Sequence, residues 1–194
     1  MIGGVDGKGV AICPLDQRMM SFGEKGMGTI DPFYVPTTPL ASVSMFNNLW
    51  TINFPYWIKG NVHSRVRVWA TENLKPSSLV EPALESLNPP LVAVSSASGG
   101  KLPAYATGLT LSRPGIVVAQ CASASEGRAS ILRLWEYEGR SGPVTVTLPA
   151  GAKFNKTQPI NLRGEPSGEP IEIRSDRLNL NLPAYSPASV LLEW

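Results

Sequence analysis

Proline and glycine punctuate this chain so densely, eighteen of each in 194 residues, that long helices have little room to form. Proline fixes φ and removes a backbone donor, and glycine loosens any regular element it interrupts. Between the breaks lie short apolar or alternating runs at residues 9–13, 19–23, 61–69, 116–122, 129–136, 144–148, 178–182 and 189–194. Short runs bounded by turns and recurring roughly every ten residues define strands of a β-sandwich. The expected fold is therefore all-β: antiparallel β-sandwich(es) of short strands with at most one short helix.

A chain of this length buries roughly 70% of its unfolded surface, and 43% hydrophobic residues supply the material for a core. Net charge is only +2, and the basic residues are scattered, so the electrostatic footprint of a nucleic-acid binder is missing. No window reaches the ~18–20 apolar residues of a membrane span. Residues 1–8 lack the basic-then-apolar design of a signal peptide and read like a chain entered in mid-course. Cys13 and Cys121 each fall in an apolar run, which makes two buried free thiols the first reading and a single disulfide the alternative. With His63 as the only histidine, neither a transition-metal site nor a His-based catalytic arrangement is nominated. No cofactor motif appears. The Ser/Gly loop at 95–100 lacks a P-loop pattern and reads as a linker.

Along the chain, residues 61–69 alternate, with Val62, Val66 and Val68 on one face and His63, Arg65, Arg67 and Trp69 on the other. That predicts a half-buried strand whose arginines are solvated, with a sugar or carboxylate contact from Arg65 or Arg67 as the sharper reading. Ser78 and Glu81 fit a capping box opening a helix that ends at about Leu87, before Asn88-Pro89-Pro90. Residues 91–94 suggest a further strand, and the apolar run 116–122 a strand buried on both faces. Residues 129–136 and 144–148, joined by a short Gly-bearing loop, suggest a hairpin. The expected division is a β-rich segment 1–114 and a C-terminal sandwich 115–194. Trp69, Trp135 and Trp194 read as packing residues, Glu136 and Glu138 as solvated carboxylates, and Asp16 as a turn or capping residue.

One stretch stands apart. Residues 46–57 hold five of the chain's aromatic side chains, Phe46, Trp50, Phe54, Tyr56 and Trp57, together with Asn47, Asn48 and Asn53, inside an uncharged run from 32 to 58. Flat rings and amides serve either as core or as a cleft for an uncharged polar ligand such as a glycan, whose C–H faces stack on rings and whose hydroxyls pair with amides.

The order of these pieces resembles the C-terminal β-sandwich region of glycoside hydrolase family 38, the α-mannosidases. The resemblance rests on Glu126 to Glu136, with its Arg133-Leu134-Trp135-Glu136, on Val144 to Leu148, on Ile160-Asn161-Leu162 and on Leu178-Asn179-Leu180-Asn181-Leu182-Pro183 before a last apolar strand. Upstream, Ala11 to Asp16, Ser21-Phe22-Gly23 and Asn47 to Trp57 are similar to what large family 38-like bacterial proteins carry near that terminus. Coverage is thin from about 71 to 114. In that family the chemistry belongs to a separate α/β domain with a metal held by His and Asp and an Asp nucleophile. Here Asp6, Asp16, Asp31 and Asp176 sit in no comparable setting, and nothing nominates the close carboxyl pair of a retaining glycosidase. The resemblance thus implies a non-catalytic accessory region that packs on a catalytic domain absent from this chain and helps complete its glycan cleft. Asn47, Asn48, Trp50, Asn53 and Trp57 become the candidates for facing glycan or partner domain. An independent carbohydrate-binding module and a purely structural interaction domain remain the alternatives.

Overall fold

Alternation becomes burial in the computed structural model, which describes residues 2–3, 7–17, 19–24, 31–45, 59–94, 99–101, 103–124 and 129–194. Its described residues form four antiparallel sheets and a single helix, the all-β architecture expected. The chain divides into two units, Met1–Val92 and Ala93–Trp194, so Thr110–Leu111 falls in the second unit.

In the first unit, β1 (Ile2–Gly3), β2 (Gly9–Pro14) and β5 (Val66–Thr71) form one sheet in the order β1-β2-β5, and β3 (Met20–Phe22) pairs with β4 (Ala41–Val43). Helix α1 (Pro76–Leu87) lies against β2 and β5. It ends where Asn88-Pro89-Pro90 demands, but its start differs from the capping-box reading. Proline opens it at Pro76, and no side chain of the N-cap residue Lys75 caps it. Instead the Asn73 carboxamide oxygen accepts from the Lys75 N–H at 3.2 Å and from the Ser78 hydroxyl. Asn73 wins because its oxygen reaches the first turn while Pro76 has no N–H to satisfy.

Three further expectations for this unit are corrected. Residues 61–65 are not strand, and β5 turns its valines outward: Val66 and Val68 are exposed while Thr71, on the opposite face, is buried. Alternation separates two faces without saying which is covered. Residues 91–94 are not strand either; Leu91, Val92 and Val94 are almost fully exposed, and among the described residues no strand pairs with them.

The second unit is a sandwich. One sheet runs β10 (Lys156–Pro159), β13 (Pro187–Glu193), β8 (Ala129–Glu136), β7 (Ile116–Ser123); the other runs β11 (Ile173–Arg174), β12 (Arg177–Leu182), β9 (Gly142–Thr147), β6 (Thr110–Leu111). Leu132, Leu134, Val190 and Leu192 of the first meet Val144, Val146, Leu178, Leu180 and Leu182 of the second in one core. Each fully buried Leu contributes roughly 1.5–3 kcal/mol, so these strands carry the unit's stability.

β8 and β9 are therefore no hairpin: they lie in different sheets, and the 137–141 connection crosses between them. The cause is Glu136, which is fully buried rather than solvated. Its carboxylate gathers the N–H groups of Glu138, Gly139 and Arg140 and so pulls the connection inward. β7 is likewise an edge strand exposed beyond Val117, with a bulge between Val118 and Gln120, not a strand buried on both faces. Cys121 is accordingly exposed, while Cys13 is buried; both thiols are free.

Candidate functional site

Asn47, Asn48, Trp50, Asn53 and Trp57, the candidates named for glycan or partner contact, lie outside the described residues. What the structure does describe in the first unit is the sheet that β5, the next strand after them in the chain, forms with β1 and β2. The register sets Val10 opposite Ala70, Ile12 opposite Val68 and Pro14 opposite Val66. These six side chains share one face and none carries a charge. Val10 is 42%, Val66 39% and Val68 58% exposed. The reverse face carries Ala11, Cys13 and Thr71, all buried. A sheet face of aligned, exposed valines is surface that a lone soluble protein rarely leaves bare, and such patches mark interfaces.

An ion pair stands at one end of this sheet. Arg65 donates its backbone N–H to Asp16 at 2.7 Å, and its guanidinium reaches the same carboxylate through Nη2 at 2.8 Å and Nε at 3.1 Å. The Leu15 N–H in turn donates to the Arg65 carbonyl. These bonds from the Arg65 side chain, then its backbone, hold the Asp16 carboxyl below its usual range. Arg65 is thus committed to Asp16 and closes the sheet end; Arg67 is exposed. The indole Nε1 of Trp69 is buried without a hydrogen bond, whereas Trp135 stands exposed on the outside of the sandwich and Trp194 stacks on Phe154 with ring centroids 4.3 Å apart.

Glu136 is the one fully buried carboxylate described. Desolvation pushes its pKa up, but four backbone N–H groups, from Tyr185, Arg140, Gly139 and Glu138, together outweigh it and hold the group ionised below its ordinary value. Arg113 Nη1 stands 3.8 Å away. With both oxygens engaged by main-chain donors, this carboxylate has no lone pair to offer a substrate; it is a structural anion. At the surface, the Glu24 carboxylate is lowered to about 2, chiefly by the Thr38 hydroxyl, with Tyr34 and Thr37 also donating to it. Among the described residues no three His, Cys, Asp or Glu side chains converge to hold a metal ion, and no helix is long and apolar enough to cross a membrane.

The second unit contains a cleft of about 490 Å³ between the β10 and β13 edge of one sheet and β12 of the other. Ile160, Leu162, Ile171 and Leu180 give it an apolar lining, and Asn161, Asn179, Asn181 and Ser189 a polar one. Behind it Arg133 ties the wall together, donating to the Ser189 hydroxyl, the Leu162 carbonyl and the Gln120 side chain.

Compared with known proteins, the chain matches no family model and no curated sequence.

Proposed function

We infer that this chain is a non-catalytic β-sandwich region of an α-mannosidase-like glycoside hydrolase, which docks on the catalytic domain and borders its glycan cleft. The observation that carries the docking part is the uncharged face built by Val10, Ile12 and Pro14 against Ala70, Val68 and Val66, on which Val10, Val66 and Val68 are exposed while Ala11, Cys13 and Thr71 on the reverse face are buried. The glycoside-hydrolase part rests on the order of motifs, Arg133-Leu134-Trp135-Glu136 through Leu178-Asn179-Leu180-Asn181-Leu182. Asn47, Asn48, Trp50, Asn53 and Trp57 enter the chain between β4 and β5, so they belong to the unit that presents this face. In this reading they meet the partner domain or the glycan beside it.

The test is co-sedimentation of the chain with a separately expressed family 38 catalytic domain. A stable one-to-one complex is expected, together with its loss on Val68→Asp. The chain alone should turn over no aryl α-mannoside, and turnover by it alone would overturn the reading.

A further inference from the structure

The β12 edge of the sandwich is left open in a way that specifies what it can bind. On one side β12 pairs with β9 throughout, from Arg177 opposite Thr147 to Leu182 opposite Gly142. On its other side β11 pairs only with Arg177 and Leu178. Upstream of Ile173 the chain leaves β12 and crosses to β10, where the Ile171 N–H donates to the Thr157 carbonyl at 3.3 Å and the Thr157 hydroxyl donates back to the Ile171 carbonyl. From Asn179 to Leu182, among the described residues, no strand follows β12 on that side.

The direction of its free main-chain groups can be read from β9. Thr145, opposite Asn179, receives the Ser112 N–H at 3.0 Å and donates its own N–H to the Ser112 hydroxyl at 2.9 Å. Pro143, opposite Asn181, has no N–H, and its carbonyl accepts from Arg113 Nε at 3.3 Å. Both residues thus point their main-chain groups away from β12. In an antiparallel ladder their partners do the same, so Asn179 and Asn181 turn theirs away from β9, toward the cleft. The Asn181 N–H and the carbonyls of Asn179 and Asn181 form the rung of a ladder with no second strand.

The other edges of the sandwich carry the devices that discourage strand addition: β7 has its bulge, β10 has Lys156 and Pro159, and β6 is two residues long. The β12 edge has none of these, and residues 178–192 contain no charge at all. Facing it, the 159–162 segment forms the second wall of the cleft. The cleft's volume of about 490 Å³ suits a few residues of a single extended chain, which would lie at the ~4.8 Å strand spacing from β12.

We propose that this edge binds an extended segment of another polypeptide by strand addition, pairing its backbone with Asn179 and Asn181 and placing a β-branched apolar side chain against Leu180, Ile160 and Ile171. Main-chain bonds supply affinity and the pocket supplies selectivity, as in other strand-addition sites. The site is independent of the valine face in the first unit.

The test uses the full chain, labelled for NMR, titrated with the blocked peptide acetyl-Thr-Val-Thr-Val-Thr-Val-Lys-amide and with the same peptide N-methylated at every backbone amide, so that neither of its edges can donate. The expected result is saturable shifts centred on Asn179 and Asn181, with exchange of the Asn181 amide slowed about tenfold or more at saturation, and no effect from the methylated peptide. Asn181→Pro removes only an N–H that the sheet does not use, so it should fold and lose the peptide. Absence of shifts at Asn181, binding that survives methylation or Asn181→Pro, or self-association through this edge in sedimentation would each overturn the proposal.

Discussion

Replacing Glu136 by glutamine probes the joint on which the second unit turns. Glu136 Oε1 accepts from the N–H groups of Glu138 and Arg140, both at 3.1 Å, and Oε2 from those of Gly139 at 2.9 Å and Tyr185 at 2.8 Å. Glutamine keeps one oxygen and sets an NH₂ donor against the other pair of donors. Two buried N–H groups then lose charge-assisted bonds, each costing roughly 1.5–3 kcal/mol, and Arg113, whose side chain is only 9% exposed, loses its counter-charge. The expected loss is about 3–5 kcal/mol, in line with breaking one partner of a buried charged pair. The assay is amide exchange of Val144, Val146, Leu178 and Leu180, whose ladder lies in the core. A loss of that size accelerates their exchange roughly a hundredfold to several thousandfold. Acid should expose the same group. Its folded pKa is depressed, so its contribution is present above the unfolded value of 4.5 and drains away as pH falls through the folded value; Glu136→Gln should flatten that part of the acid limb. Acceleration under about fivefold would refute the claim that four main-chain donors depend on this charge.

Gly139→Ala should destabilise the same corner by roughly 1–3 kcal/mol, because Gly139 has φ +78° and a Cβ there would run into the Tyr185 ring; adding Tyr185→Ala should return only the steric part, measured by urea unfolding. In the folded chain a thiol reagent should modify Cys121 quickly and reach buried Cys13 only on unfolding, which peptide mapping resolves. Arg65→Ala should let the Asp16 carboxyl rise back toward its ordinary 3.8, read by carboxyl NMR titration, with little effect on folding because the pair is exposed. Val68→Asp, at a side chain 58% exposed, should change stability by no more than about 0.5 kcal/mol while abolishing docking.

The sandwich core was legible wherever alternation met a partner strand. Leu178, Leu180 and Leu182 point inward as their period-two pattern requires, and so do Val144 and Val146. Glu136 shows where such reading stops. It continues the inward parity of Leu132 and Leu134, a signal present in the sequence, but a carboxylate is assumed solvated unless donors are known to wait for it. Three of those donors follow at 138–140, where nothing in the residue types shows that their N–H groups turn back to Glu136, and the fourth, Tyr185, becomes a neighbour only after the chain has folded. The same gap produced the false hairpin, since a short Gly-bearing loop joins strands equally well within one sheet or across two. In β5 the valines and their alternation were visible, but which face is covered depends on packing from outside the sheet, such as that of α1 against β2 and β5. The open edge of β12 was invisible from local pattern, because it arises from the chain's departure toward β10 upstream of Ile173. Of the candidate site, the aromatic and asparagine residues of 46–57 lie outside the described residues, while the valine face that follows them was read with its sign reversed.

The most direct test of the docking account is hydrogen exchange of the chain, free and bound to a family 38 catalytic domain. The account predicts that added protection concentrates on Gly9–Pro14 and Val66–Thr71. Protection confined to the second unit, or no change in either strand on a domain that demonstrably binds, would contradict it.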